Sequence, residues 1–362
     1  VEELFVITNF TADDSLKTRI ESCLLTSTAF IDKEIPPLKT YLKPWLKAQT
    51  INLIYGPRGV GKTWLGLIIT FLLTREKTDE DFFIGPWEPK RNAGVLFIDG
   101  ELPEALLQGM VKGLANELPP EDPKNPCHIL SANSFMKKFD VAPNLANPIW
   151  RQAVYEVLKS NRNIKLLILD NVASLMPGIV ENVKEEWDPV NQWFLSLRFL
   201  GVSVIFFHHS GKGGQQRGTS GREDNLDEIV KVDYAENYDK ERDRAYFTVE
   251  LEKKRLLKPG DDGSKFALRI VNGTNGGSTW QEEEIVSKKK DSGRKMQIMA
   301  EIIRGRKNKE IKTMFNISAS AVSQYKKEAL KKEYIVESGK PTADGQKILD
   351  EHGQDLKDPL GM

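Results

Sequence analysis

The stretch Gly56-Pro57-Arg58-Gly59-Val60-Gly61-Lys62-Thr63 decides the fold of this 362-residue chain. It matches the pattern G-x-x-x-x-G-K-[ST] at every fixed position, and it lies between the apolar run 51–55 and a helical pattern. Small residues let the backbone curl so that its N–H groups face phosphate oxygens, and the helix N-terminus adds a positive dipole. The sequence therefore predicts a phosphate-binding loop between a buried strand and a helix.

Short apolar runs alternate with helical patterns on both sides of this loop. The runs that predict buried strands are 51–55, 95–99, 166–170 and 202–207. Helices are expected at 62–75, 103–118, 148–161 and 185–200. Two later runs alternate like edge strands around the turn segment 259–263, and they are 246–251 and 266–271. Strands that are apolar on both faces and alternate with helices predict an α/β fold with a mainly parallel sheet.

The loop residues are expected to bind ATP together with Mg²⁺. Lys62 would reach the β- and γ-phosphates, and the Thr63 hydroxyl would bind Mg²⁺. Asp170 ends the run 166–170 and is predicted to hold the same ion, directly or through a water. The alternative for Asp170 is a carboxylate that caps a buried strand. The predicted ATP-binding residues are Gly56, Gly59, Val60, Gly61, Lys62 and Thr63.

Further polar residues follow the ends of two predicted strands. Glu101 is expected to orient the water that attacks the γ-phosphate, with Asp99 as the rival and a helix-capping role as the alternative. The adjacent His208 and His209 end the strand 202–207, so one of them should face the crevice and sense the γ-phosphate. The alternative for this pair is polar capping of the sheet.

Charge is distributed unevenly along the chain, although 52 Lys and Arg balance 52 Asp and Glu. Residues 287–340 hold fifteen Lys or Arg and six Asp or Glu, a net charge of +9, so the remaining residues sum to −9. Such asymmetry is typical of a nucleic-acid contact surface or of a solvated basic face. The chain has no apolar run long enough to span a bilayer, no visible secretory signal and only Cys23 and Cys127, which favours a cytoplasmic protein.

The basic region has a helical pattern of its own. Helices are expected at 296–304, 308–315 and 319–333, followed by a small wing at 334–342. This order resembles a winged helix-turn-helix, which implies DNA contact, with docking of a protein as the alternative. The residues of this module expected to contact DNA are Ser323, Gln324, Lys326 and Lys327.

The order of these motifs over about 38–272 resembles the RecA-like ATPases, and among them the RepA-type hexameric helicases of plasmids and mobile elements. Residues 205–212 read Ile-Phe-Phe-His-His-Ser-Gly-Lys, and 217–221 read Arg-Gly-Thr-Ser-Gly. The resemblance implies that the loop 211–222 contacts single-stranded DNA inside a ring. The phosphate contacts that it implies are Lys212, Arg217 and Arg222.

The same resemblance covers Glu252-Lys253-Lys254-Arg255, which is similar to the K-x-R segment of ring helicases. It implies that Lys253 and Arg255 reach the γ-phosphate held by a neighbouring subunit, whereas surface charge at a strand end is the alternative. The basic extension is a departure from the plasmid family, whose members are little more than the core.

Together these features predict an ATP-dependent hexameric DNA helicase that translocates on single-stranded DNA in the replication of a plasmid, phage or mobile element. The alternatives are a RecA/KaiC-like ATP-dependent switch or recombination accessory without unwinding, and a DNA-binding regulator that the ATPase fold only assembles. The C-terminal module would contact duplex DNA or a replication protein. The expected organisation is a segment 1–37, a RecA-like core 38–286, a linker 287–295 and a winged module 296–362.

Overall fold

The computed structural model describes residues 16–78, 82–179, 184–210, 225–283, 285, 289–315, 317, 319–336 and 339–352. The chain divides into two units, Val1–Ile285 and Val286–Met362. Within the described residues, no helix is both long and apolar enough to cross a membrane.

The first unit is built on a sheet whose nine described strands run in the order β12-β11-β10-β9-β3-β8-β7-β5-β6. The strands from β9 to β6 in this order are parallel, and β10, β11 and β12 are each antiparallel to their neighbours. The strand bounds are β3 (Ile51–Gly56), β5 (Gly94–Asp99), β6 (Cys127–Ser131), β7 (Ile164–Asp170), β8 (Ser203–His209), β9 (Glu228–Tyr234), β10 (Tyr246–Lys254), β11 (Phe266–Asn272) and β12 (Ser278–Glu283). Three short strands pair in a separate small sheet, and they are β1 (Thr40–Lys43), β2 (Leu46–Lys47) and β4 (Glu88–Pro89).

Helices cover both faces of the large sheet because neighbouring strand residues point to opposite faces. Ile54 packs in a cluster with α3 and α4, whereas Leu53 and Tyr55 pack in another with α6, α7 and α8. The helices of this unit are α1 (Leu16–Cys23), α2 (Ser27–Ile31), α3 (Lys62–Thr74), α4 (Glu104–Ala115), α5 (Ala132–Phe139), α6 (Pro148–Ser160), α7 (Val172–Leu175) and α8 (Lys184–Phe199).

The predicted α/β class with a mainly parallel sheet is confirmed. The predicted strands and the helices between them are present, with ends that differ by up to three residues. Strands β6, β9 and β12 were not predicted from the sequence. β6 is half exposed because it pairs only with β5 at the sheet edge, so its residues do not form an apolar run.

The second unit consists of α9 (Lys289–Ile303), α10 (Asn308–Phe315), α11 (Ala319–Lys331) and α12 (Ala343–His352). Its core contains Ile298, Ile302, Ile311 and Val322. Helix α9 already begins at Lys289, inside the stretch 287–295 that was expected to be a linker. An antiparallel bridge between Ile335 and Pro341 lies where the wing was expected. The winged helix-turn-helix stays a prediction, for which the structure provides four described helices and this bridge.

Candidate functional site

The phosphate-binding loop follows β3 and is shaped by its glycines. Gly61 has a φ of 116°, and a Cβ added there would lie 2.5 Å from the ring of Phe247, so only glycine fits. Gly56 is equally constrained, because its Cβ would lie 2.1 Å from the Val232 carbonyl oxygen. Helix α3 starts directly after this turn, and no described side chain caps its N-terminus. The first N–H groups of the helix therefore remain for an anionic ligand.

Lys62 lies in the curl of the loop with only 5% of its surface exposed. Its Nζ donates to the carbonyl oxygens of Gly56 at 3.0 Å and Pro57 at 2.7 Å, and lies 3.2 Å from His209 Nδ1. Burial lowers the pKa of Lys62 to about 8, although the charges of Asp170 and Glu101 oppose this shift. A buried ammonium that is held mainly by carbonyl oxygens is well placed to exchange them for phosphate oxygens.

Asp170 and Asp99 stand side by side where β7 and β5 end. Burial raises the pKa of Asp170 to about 7 and that of Asp99 to about 6. Asp170 is hydrogen-bonded to the Thr63 side chain. The Oδ2 atoms of both aspartates are buried, and neither has a hydrogen-bond partner among the described residues.

These donors fit Mg²⁺. The ion prefers oxygen ligands and keeps several of its waters, so one carboxylate and one hydroxyl are sufficient protein ligands. Thr63 and Asp170 offer such a pair, and a bound cation would give the buried Oδ2 of Asp170 a partner. Among the residues that the structure describes, no group of three or more His, Cys, Asp or Glu side chains forms a separate metal site. Asp99 has a structural contact, since it accepts the N–H of Leu102 at 2.9 Å.

Glu101 lies at the mouth of the same crevice, with its side chain 48% exposed. Its carboxylate accepts the Asn171 amide Nδ2, which lies 3.2 Å from His209 Nε2. The ring of His209 thus bridges Lys62 on one side and Asn171 on the other. Sequence reasoning missed Asn171, whose only signal was its position directly after Asp170. Its Oδ1 accepts the Ser174 N–H at 3.1 Å and so caps α7.

The two histidines have different surroundings because they are neighbours on one strand. His209 faces the loop and Lys62. His208 is buried, and its Nδ1 lies 2.7 Å from the His209 carbonyl oxygen. The structure therefore brings the His209 ring into contact with Lys62 and with Asn171.

Lys253 and Arg255 are not near the loop of their own chain. Strand β10 runs antiparallel to β9, and its residue Lys254 pairs with Glu228 at the start of β9. The start of β9 lies beside the start of β3, whereas the loop follows the end of β3. Six strand residues at about 3.3 Å each place the two edges roughly 20 Å apart. Arg255 Nη1 instead lies 3.6 Å from Asp227 Oδ1 and remains 52% exposed.

The structure describes only some of the residues that were predicted to contact DNA. Lys212, Arg217 and Arg222 lie outside the described residues. In the second unit Ser323, Lys326 and Lys327 are exposed on α11, and the side chain of Gln324 is not described.

Comparison with known proteins identifies the family. Residues 17–215 match the family model AAA_25, described as an AAA domain, and this match covers more than half of the chain. The chain belongs to this AAA domain family. The match includes the phosphate-binding loop, Glu101, Asp170 and the histidine pair, and it ends before β9. Together with the site geometry, membership of this family identifies the chain as a P-loop ATPase.

Two solved structures are distantly similar. A KaiC-like protein from the hyperthermophilic archaeon Pyrococcus horikoshii OT3 has 16% sequence identity and a TM-score of 0.43, over 68% of this chain and 100% of that one. The RadB recombinase has 15% identity and a TM-score of 0.41, over 66% of this chain and 92% of that one. Among curated proteins, no sequence matches this chain.

Proposed function

We propose that this ATPase works as a ring of identical subunits, hexameric by resemblance, that moves along single-stranded DNA and separates duplex DNA during replication of a plasmid, phage or mobile element. The observation that carries the proposal is the position of Arg255. It lies on the edge of the sheet opposite to the loop of its own chain, so any contact with a γ-phosphate must be with a neighbour's nucleotide.

The chemistry in each site follows from the residues around the crevice. The loop N–H groups and Lys62 would hold the phosphates, and Thr63 and Asp170 would hold Mg²⁺, which when bound would supply positive charge to the phosphate groups. Glu101 orients the attacking water as a general base, and the Asn171 amide fixes its carboxylate. Lys253 and Arg255 of a neighbour stabilise the charge that develops on the transferred phosphoryl group.

Coupling to DNA would pass through His209. This residue is in contact with Lys62 and Asn171, and it ends β8, after which the chain enters the stretch with Lys212, Arg217 and Arg222. A change in the phosphates held by Lys62 therefore acts on the residue that precedes the proposed DNA loop. The exposed Ser323, Lys326 and Lys327, with Gln324, would add contacts to duplex DNA or to a replication protein.

A strand-displacement assay on a forked duplex tests the proposal. The purified chain with ATP and Mg²⁺ should release the labelled strand, and the Lys62→Ala variant should not. The same samples are examined for ATP hydrolysis with and without single-stranded DNA. If DNA stimulates hydrolysis and no strand is released on any fork, the helicase proposal is wrong and the ATP-dependent switch takes its place.

A further inference from the structure

The edge of the large sheet opposite to the phosphate-binding loop contains a cavity of about 410 Å³. Its lining residues come from the start of β1, from the segment between β4 and β5, and from the residues that precede or begin β6 and β7. The six residues of β5, at about 3.3 Å each, place this edge roughly 20 Å from the edge at which the parallel strands end. The cavity is therefore separate from the crevice around Lys62 and Asp170.

Three cations line this cavity, and they are Lys39, Arg91 and Lys165. None of the three makes an ion pair with a residue that the structure describes. Other exposed cations of the unit do have an acidic partner, as Lys137 does in Glu104 at 3.0 Å. The side chains that line the cavity thus bring together positive charge that the protein itself leaves uncompensated.

The other lining residues are uncharged and can form hydrogen bonds. Asn92 and Asn125 are held by Asp122, which accepts the Asn92 Nδ2 at 2.9 Å and the Asn125 Nδ2 at 2.8 Å. These two hydrogen bonds lower the pKa of Asp122, whose carboxylate is not part of the lining. Asn163 and the nearly fully buried Tyr41 complete the wall. Among the described residues of the lining, none is acidic.

This charge distribution favours an anionic ligand. Cations that gather without acidic partners repel one another, and an anion removes that repulsion. The gathering is not a consequence of a basic surrounding sequence, because the residues outside 287–340 sum to a net charge of −9. Arginine binds phosphate through two parallel hydrogen bonds, and lysine binds it as a point charge. Cavities of about 300–1,000 Å³ are typical of small-molecule sites.

We propose that this cavity binds a nucleotide-sized anion that carries two or more adjacent phosphate groups. The three cations match the charge of such a group, whereas a single carboxylate would leave two of them uncompensated. The carboxamides of Asn125 and Asn163 offer hydrogen bonds to the rest of the ligand. Two sources carry this chemistry, a free nucleotide and a strand of single-stranded DNA, and the size of the cavity favours the free nucleotide. The proposal goes beyond the proposed function and does not depend on it.

Calorimetric titration of the full chain with inorganic tripolyphosphate tests the proposal. The Lys62→Ala background weakens binding at the loop, so the remaining binding reports on the cavity. In this background, Arg91→Gln with Lys165→Gln should raise the dissociation constant for tripolyphosphate at least about 100-fold, because each lost charged contact costs about tenfold or more. Lys112→Gln with Lys138→Gln is the matched control. It removes the same charge from exposed residues outside the lining and should leave the dissociation constant unchanged.

A substitution of nearly equal shape separates the effect of charge from an effect on the fold. Asn163→Asp adds a negative charge to the wall and should weaken tripolyphosphate binding at least about 10-fold. The Asn163 carbonyl oxygen still accepts the Gly94 N–H at 3.2 Å, so the contact at the start of β5 is kept. Thermal unfolding should be nearly the same for all these variants, since Arg91 and Asn163 are exposed and Lys165 makes no described ion pair.

Binding of single-stranded DNA distinguishes the two sources of phosphate. The affinity for a labelled oligonucleotide is measured by fluorescence anisotropy between about 50 and 200 mM salt. Each phosphate neutralised on a single strand contributes about 0.7 to the slope of log K against log salt, so loss of two contacts should lower the slope by about 1.4 if a strand fills the cavity. An unchanged slope, together with the loss of tripolyphosphate binding, assigns the cavity to a free nucleotide.

Two results would overturn the proposal. The Lys62→Ala chain could bind no tripolyphosphate, or it could bind tripolyphosphate equally well with and without the substitutions of Arg91 and Lys165. Either result leaves the ring motor unaffected, because strand displacement is proposed to depend on the crevice and not on this cavity.

Discussion

The Arg255→Ala substitution should lower the free energy of unfolding only slightly, so a loss of activity in this variant would report on the function of Arg255. Arg255 is half exposed, and its contact with Asp227 spans 3.6 Å. An exposed ion pair of this kind contributes about 0–1 kcal/mol. In a unit of this size, that corresponds to a fall in Tm of at most about 4 °C. Asp227 also keeps its hydrogen bonds from the Ile51 N–H and from Arg198 when Arg255 is lost.

The catalytic cost should be far larger if Arg255 completes the site of a neighbour. Arginines that act in trans on phosphoryl transfer contribute about 10³–10⁵ in turnover, which corresponds to roughly 4–7 kcal/mol of transition-state stabilisation. We expect Arg255→Ala to bind ATP almost as the parent does, because Lys62 and the loop are intact. Steady-state ATPase kinetics and binding of a fluorescent ATP analogue measure the two properties separately.

Mixing two inactive variants shows whether the effect crosses a subunit boundary. The Arg255→Ala subunit keeps an intact phosphate-binding loop but supplies no arginine to its neighbour. The Lys62→Ala subunit supplies the arginine, but its own loop does not support ATP hydrolysis. Under conditions that allow subunit exchange, mixed assemblies contain some complete sites, so ATPase activity should reappear. Full activity of Arg255→Ala alone, or no recovery in mixtures that are shown to exchange, would refute the reasoning.

Three further predictions address the crevice and the far edge of the sheet. Lys62→Ala should abolish ATP hydrolysis and weaken nucleotide binding, because it removes the buried cation from the loop; turnover near the parent rate would contradict the site. Glu101→Gln should keep ATP bound while turnover falls at least about 100-fold, and equal loss of binding would indicate a structural role. Burial raises the pKa of Glu228 from 4.5 to about 7, so the stability linked to its neutral form is complete below pH 4.5 and is lost as the pH rises through 7. Glu228→Gln should therefore gain on the order of 2 kcal/mol relative to the parent between pH 5.5 and pH 8. Chemical denaturation at both pH values measures this difference, and an unchanged difference would show that Glu228 is not the group responsible.

The core of the fold was predictable because its strands are buried on both faces. The run 166–170 has no polar interruption before its final Asp170, and the first three of the four runs each precede a helical pattern, so the parallel sheet follows from elementary rules. Strand β6 has exposed residues at His128 and Ile129 because only one neighbour covers it, and its pattern carries no such signal. Strand β9 is largely buried although it contains Glu228 and Lys231. The Glu228 carboxylate accepts the Leu256 N–H at 2.8 Å, a contact distant in sequence, and Lys231 lies 3.7 Å from Asp233.

The candidate site was predictable in outline for a different reason. Parallel strands end at one edge, so Asp170, Glu101 and His209 had to lie near the loop once the strands were identified. Their mutual contacts depend on strand order, which brings β8 between β3 and β7. The contacts of Asn171 with Glu101 and His209 depend on this strand order and on the turn after β7. A local sequence pattern contains neither.

The contacts of Lys62 connect the phosphate-binding loop with Glu101, the residue proposed to orient the water. In the structure its ammonium group is shared between two loop carbonyl oxygens and His209. An ammonium has three N–H donors, so phosphate oxygens that bind Lys62 must displace some of these partners. The imidazole of His209 also contacts Asn171, and Asn171 holds Glu101. A displaced Lys62 therefore changes the hydrogen bonds available to His209 and, through Asn171, the position of the Glu101 carboxylate. If Glu101 orients the water as we propose, binding of ATP and preparation of the water are two consequences of one exchange of hydrogen bonds.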